Sequence, residues 1–155
     1  MSVKRTVLRH QRATVDRAAR AVVDLPRPKE GWLRTVRGAL GMSGPDLAAR
    51  LGQTRARVSQ AEAGERTGGV TIRSMEAMAR AMGCRFVYAI VPEAGSIDDL
   101  VAAQAWRKAE ALMRRAGSHM ALENQALSGE AMSEETELLA EELARSMPAD
   151  LWKDP

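Results

Sequence analysis

Hydrophobic positions recur along this chain at two periods, about 3.6 residues through most of its length and 2 residues in one short run. Over residues 2–24, Val3, Val7, Leu8, Val15, Ala18, Ala19, Val22 and Val23 fall at helical spacing among arginines, which predicts a basic amphipathic helix that Pro26 and Pro28 end. From Gly31 the pattern predicts four short helices punctuated by glycine. The first carries Trp32, Leu33, Val36, Ala39 and Leu40 before Gly41. Ser43 is a good cap for the second, Pro45 sits in its first turn, and Leu47, Ala48 and Leu51 precede Gly52. Thr54 caps the third, with Val58 and Ala61 inward and Gly64 closing it, followed by a polar loop from Glu65 to Val70. Thr71 caps the fourth, which carries Ile72, Met75, Met78, Ala79 and Met82 and ends at Gly83.

In residues 85–91 the alternation of Phe86, Tyr88 and Ile90 with Arg85, Val87 and Ala89 predicts a strand, which Pro92 stops. A lone strand leaves its backbone groups unpaired. The expected partner is the same strand, Phe86, Val87, Tyr88 and Ile90 included, in a second copy of the chain; the alternative is pairing with the loop before the first short helix. Beyond Pro92 the period is helical again. Ser96 and Asp99 form a capping pair ahead of Ile97, Leu100, Val101, Ala105 and Leu112, a run expected to end near Arg115. Gly117 and Ser118 predict a break, Met120 to Leu127 a short helix, and Ser133 the cap of a last helix bearing Leu138, Leu139 and Leu143.

Composition agrees with helices: 45% of the 155 residues are hydrophobic but only 3% aromatic, too few for an ordinary β-sandwich. The net charge of +3 changes the picture only when divided at Pro92. Residues 1–92 hold 17 Lys/Arg and 7 Asp/Glu, a net of +10; residues 93–155 hold 6 and 13, a net of −7. The first half suits a polyanion and the second a protein partner, unless both are simply solvated faces. The predicted organisation is a basic helix or arm over 1–30, a unit over 31–92 suited to a polyanion such as nucleic acid, with its dimerisation strand at 85–91, and an acidic helical partner-binding region over 93–155.

Cys84 has no second cysteine to pair with, and two histidines make no zinc set, so neither a metal nor another cofactor is expected. His10 and His119 are far apart in sequence and no nucleophile, base or phosphate-cradling loop accompanies them, so no enzyme is expected. The basic start lacks the apolar run of a signal peptide and no stretch is long enough to span a bilayer; a cytoplasmic protein without membrane contact is the expectation.

The informative stretch is Met42 to Gly64, MSGPDLAARLGQTRARVSQAEAG. Two short helices that cross steeply need a small residue, Ala48, where their backbones approach, apolar side chains in the joint, and a glycine, Gly52, at the turn. This stretch resembles the helix-turn-helix of the phage-repressor-like (XRE) family over about residues 31–82, through Ser43, Leu47-Ala48, Leu51-Gly52, Thr54, Val58-Ser59, Glu62 and Gly64. The resemblance implies a mainly α fold in which the second helix enters the major groove of double-stranded DNA. Arg55, Ala56, Arg57, Ser59 and Gln60 would then face base edges, Arg55 suited to guanine and Gln60 to adenine, while Thr54, Arg66 and Thr67 would touch phosphates. Glu62 reads as a structural contact. One departure is Gly44-Pro45, where the family commonly has Gln.

A wider resemblance rests on Arg27-Pro28-Lys29-Glu30-Gly31-Trp32-Leu33-Arg34, Cys84 to Pro92, Ser118 to Gln125 and Leu151-Trp152. These look like the mobile mystery protein A family, repressor-like proteins encoded beside a Fic-domain protein. The resemblance implies a dimeric repressor of its own operon that also serves as antitoxin to a Fic-domain toxin, with His119, Met120, Glu137 and Trp152 as candidate partner contacts. Ser133 to Glu137 has the spacing of a Fic-inhibitory helix, but Leu138 stands where that motif has Gly or Asn. Two alternatives stay open: a phage-type repressor that senses a small ligand, and a protein-interaction module that reads no bases.

Overall fold

The computed structural model describes residues 3–122 and 128–153. Its seven helices among those residues are α1 (Val3–Val22), α2 (Trp32–Ala39), α3 (Gly44–Leu51), α4 (Arg55–Thr67), α5 (Ile72–Ala81), α6 (Ile97–Leu122) and α7 (Gly129–Ser146). They divide into two compact units, residues 22–89 and residues 1–21 together with 90–155.

In the unit of residues 22–89, helices this short are marginal alone, so caps and cross-packing hold them. Ser43 and Asp46 cap α3 reciprocally: the Ser43 hydroxyl accepts from the Asp46 amide at 3.2 Å and the Asp46 carboxylate accepts from the Ser43 amide at 2.9 Å. These bonds from Ser43 hold the Asp46 carboxyl below its ordinary pKa. Thr54 and Thr71 cap α4 and α5 through the Arg57 and Ser74 amides. Leu33, Leu47, Ala48, Val58, Ala61, Met75, Met78 and Met82 form the core, with Phe86 packed against it.

Helix α2 solves its N-terminus differently. Its N-cap is Gly31, which has no side chain to offer. The carboxylate of Glu65, from α4, accepts from the Trp32 amide at 2.6 Å and the Leu33 amide at 2.9 Å. Gly31 stands at φ 79°, and a Cβ there would lie 2.7 Å from a Glu65 oxygen, so backbone angle and space both require glycine.

In the other unit, α6 and α7 run antiparallel along small residues. Val101, Ala105 and Leu151 form one core cluster with Ile97, Leu143, Ala144 and Met147 around it, and Ala109 and Ala140 are buried. Lys108 is also buried and reaches the chain end. It donates to the Asp150 carboxylate at 2.8 Å and to the Asp150 carbonyl, while Gln104 donates to the Leu151 carbonyl at 2.8 Å. Residues 148–151 are thereby fastened onto α6. Ser96 and Asp99 cap α6 as expected.

Several predicted boundaries are corrected. Helix α4 does not close at Gly64 but runs through Glu65 and Arg66 to Thr67, ending at Gly68 with φ 86°. Gly64 is there for close approach: a Cβ would lie 3.2 Å from the Val70 nitrogen, and the Gly64 carbonyl accepts from the Gly69 and Val70 amides. Likewise Gly117 and Ser118 do not break α6, which continues to Leu122; Gly117 admits the Met132 methyl. The last helix starts at Ser128, whose hydroxyl accepts from the Ala131 amide, and Ser133 lies inside it. The short helix expected over 120–127 falls largely outside the described residues. Among those residues there is no strand: 84–92 carries no regular structure and does not pair with the segment before α2.

Candidate nucleic-acid interface

The joint between α3 and α4 is built by Gly52, which ends α3 in the left-handed region at φ 62°, and by the Gln53 amide, which donates to the Ala48 carbonyl at 2.9 Å. Thr54 then starts α4 with its hydroxyl oxygen on the Arg57 amide. Val58 at 1% exposure and Ala61 pin one side of α4 into the core. Arg55, Ala56, Arg57, Ser59 and Gln60 are exposed on the rest of its first turns. The first two turns of α4 therefore present two guanidinium groups, a hydroxyl and an amide to solvent, next to unpaired backbone N–H groups at the helix start whose dipole favours an anion.

Behind this face lies an open cleft of about 610 Å³, lined among others by Glu30, Arg34, Arg37, Gly44, Arg55 and Arg66. Its cations differ in what holds them. Arg37 is consumed by Glu62, at 2.6 Å and 3.1 Å, and by the Met42 carbonyl at 2.9 Å. The bond from Glu62 raises the Arg37 pKa further, so this ion pair is a fixed brace between α2, the α2–α3 turn and α4. Arg34 and Arg66 share Glu30, at 3.1 Å and 3.7 Å. Arg55 has no carboxylate within salt-bridge distance among the described residues. A Cβ at Gly44 would lie 3.9 Å from Arg55 Cγ, an ordinary contact, so the Gly44-Pro45 departure sits beside the Arg55 stem without the space there requiring glycine.

At the far end of α4, Arg66 is exposed in the last turn, and the Thr67 hydroxyl donates back to the Ala63 and Gly64 carbonyls at 3.3 Å and 3.4 Å. That end of the helix carries partial negative charge, so Arg66 is its anion-attracting group. Glu62 is the structural contact the sequence predicted, whereas sequence reasoning missed Glu30, Glu65 and Arg34. Glu30 and Arg34 are legible as an i, i+4 pair. Glu65 is not, since the amides it caps are more than thirty residues away.

Residues 33–88 match the helix-turn-helix family. This is an XRE-type helix-turn-helix domain. It spans a little over a third of the chain, and a domain of this type points to a DNA-binding regulator. No curated protein and no solved structure matches the chain.

After the helix-turn-helix domain, Phe86 is half-buried against its core and Tyr88 stacks on Phe86, ring centroids 5.8 Å apart. Val87, Tyr88 and Ile90 are exposed, Ile90 by 90%. Of the candidate partner residues, Glu137 is exposed in α7 beside exposed Leu138, and Trp152 is exposed next to buried Leu151. His119 and Met120 fall in the last turns of α6, and their side chains lie outside the described residues. No helix among the described residues is long and apolar enough to cross a membrane.

Proposed function

We propose that this chain is a sequence-specific transcriptional repressor of its own operon that acts as a homodimer, has no catalysis of its own, and doubles as the antitoxin of a Fic-domain protein. The observation that carries the DNA-reading part is the exposed group Arg55, Arg57, Ser59 and Gln60 on a helix start fixed by Gly52, Thr54 and buried Val58. A guanidinium there matches guanine O6 and N7, and the Gln60 amide matches adenine N6 and N7. Thr54, Arg66 and Thr67 contact the flanking phosphates.

The exposed run Val87, Tyr88 and Ile90, anchored at Phe86, supports dimerisation through a two-stranded ribbon. The antitoxin role is supported by the likeness of Arg27 to Arg34, Cys84 to Pro92, Ser118 to Gln125 and Leu151-Trp152 to mobile mystery protein A, with the acidic region, Glu137 and Trp152 facing the Fic partner.

Binding to the DNA upstream of the chain's own gene tests the first claim. Arg55→Ala and Gln60→Ala should each weaken it by about 1–3 kcal/mol. Unchanged affinity in both would remove base readout and leave the interaction-module reading. A monomeric hydrodynamic mass at micromolar concentration would remove the ribbon.

A further inference from the structure

Helix α1 carries cations that the unit around it does not use. It is 20 residues long, about 30 Å at the ordinary rise. Its Leu8, Arg12, Val15, Asp16, Ala19 and Val22 are partly buried. Within that edge the two charges have assigned contacts: Arg12 pairs with Asp98 and points at the Met147 sulfur, and Asp16 accepts from the Ile97 amide at 3.1 Å, closing the start of α6. Next to that edge Arg5 and Arg9 border an open cleft shared with Arg12, Asp98 and Glu142, and Arg17 and Arg20 lie away from it. Arg5, Arg9 and Arg17 lie on one row with Ala13, four residues apart, and Arg20 follows three residues after Arg17. All are exposed, with exposed Thr6 and His10 alongside.

None of the four arginines has a carboxylate within salt-bridge distance among the described residues, and nearby Asp98 and Glu142 are held by Arg12 and Arg145. Arginines four apart on one helix face repel each other and weaken the helix, so the row is a liability unless something anionic covers it. A duplex presents one phosphate charge per roughly 1.7 Å of its axis, a dense match for a slanting row of cations spread over about 22 Å of the helix. The apolar edge has no aromatic residue, which suits protein packing more than a lipid surface.

We propose that α1 is a second DNA-contacting element, which grips the phosphate backbone without reading sequence through Arg5, Arg9, Arg17 and Arg20. It rests on the proposed DNA-binding function but adds a surface outside the helix-turn-helix domain. Because α1 is covalently joined to that domain, its cations stay at high effective concentration near any duplex the domain holds.

The test uses the full chain, a 30-base-pair duplex of unrelated sequence and the duplex upstream of the chain's own gene, with affinities measured between about 50 and 200 mM salt. Replacing all four arginines by Ala should weaken both duplexes by the same factor, tenfold or more at the low-salt end, and lower the slope of log affinity against log salt by roughly 3 to 4. Lysine at the same four positions should restore the slope. Arg17→Ala alone, which asks less of the fold, should lower it by about 1. An unchanged slope in these Ala variants, or wild-type binding to anionic lipid vesicles lost in their place, overturns the inference. If Arg55→Ala loses preference for the upstream duplex while the α1 variants behave as wild type, only this inference fails. A wild-type chain that binds neither duplex overturns both readings.

Discussion

In residues 22–89, four helices of 8 to 13 residues cross around Leu33, Leu47, Val58, Met75 and Met78; in the other unit, α6 and α7, of 26 and 18 residues, lie along each other on Ala105, Ala109 and Ala140. The first unit spends buried carboxylates on position: Glu62 braces Arg37, and Glu65 caps α2 from another helix. The second spends a buried cation on closure, with Lys108 fastening the chain end. Short crossing helices gain little from their own hydrogen bonds and must be oriented by side chains, whereas long parallel or antiparallel ones gain most from backbone approach. An interface that reads base edges needs the first kind of construction, because the first turn of α4 has to be held at one angle.

The largest expected effect breaks that orientation. Glu65→Ala removes both acceptors of the Trp32 and Leu33 amides and should destabilise the helix-turn-helix unit by about 3 kcal/mol, since orphaned donors and a lost charge-assisted cap add together. Urea unfolding followed at Trp32, with Trp106 and Trp152 replaced by Phe, measures it. Glu65→Gln keeps one acceptor oxygen and should lose roughly half as much. A loss below about 1 kcal/mol for the Ala variant would mean that water caps α2 equally well.

Much of this construction was legible. Ser43, Thr54, Thr71 and the Ser96-Asp99 pair announce helix starts through local chemistry, and Gly52 and inward Val58 follow from the same few residues. What the sequence hides depends on distant partners. Gly64 and Gly117 look like stops, yet each serves a close approach, to Val70 and Met132. The α2 cap is invisible because Gly31 offers no side chain and Glu65 reads as loop. The exposure of Arg55 to Gln60 follows from the helix-turn-helix pattern, but the freedom of Arg55 beside Arg37 and Arg66, which carboxylates hold, required the packing. Residues 85–91 illustrate another limit, since alternation predicts a strand but supplies no partner, and in the single chain the segment carries no regular structure.

A somewhat smaller effect should come from the opposite change in the second unit. Ala105 is fully buried against Leu151 and Val101, so Ala105→Leu forces side chains apart where the hairpin has no slack, at a cost of about 2 kcal/mol. Urea unfolding followed at Trp106 measures it. The contrast between the units sharpens if the helix-turn-helix unit's Trp32 transition keeps its midpoint, and it breaks if Ala105→Leu is neutral, which would mean α6 and α7 separate easily.

The smallest expected effect is on acid stability and concerns the chain-end fastening alone. The hydrogen bond from Lys108, with a further one from Asp150's own amide and the nearby charges of Lys108 and Lys153, holds the Asp150 carboxyl below its ordinary value of 3.8. A depressed carboxyl contributes stability above its unfolded pKa and loses it as pH falls through the folded one, so the contribution is complete at neutral pH and fades only below about pH 4. Asp99, held low by Ser96, fades over the same range in this unit and Asp46 does so in the other, so wild-type acid unfolding is shared between them. Asp150→Asn should therefore lower the melting temperature at pH 7 and narrow its gap from wild type as pH falls from 4 to 2. No gap at pH 7 would show that Lys108 holds the chain end through the Asp150 carbonyl, with the carboxylate adding nothing, and a gap unchanged down to pH 2 would show that the carboxylate's charge plays no part.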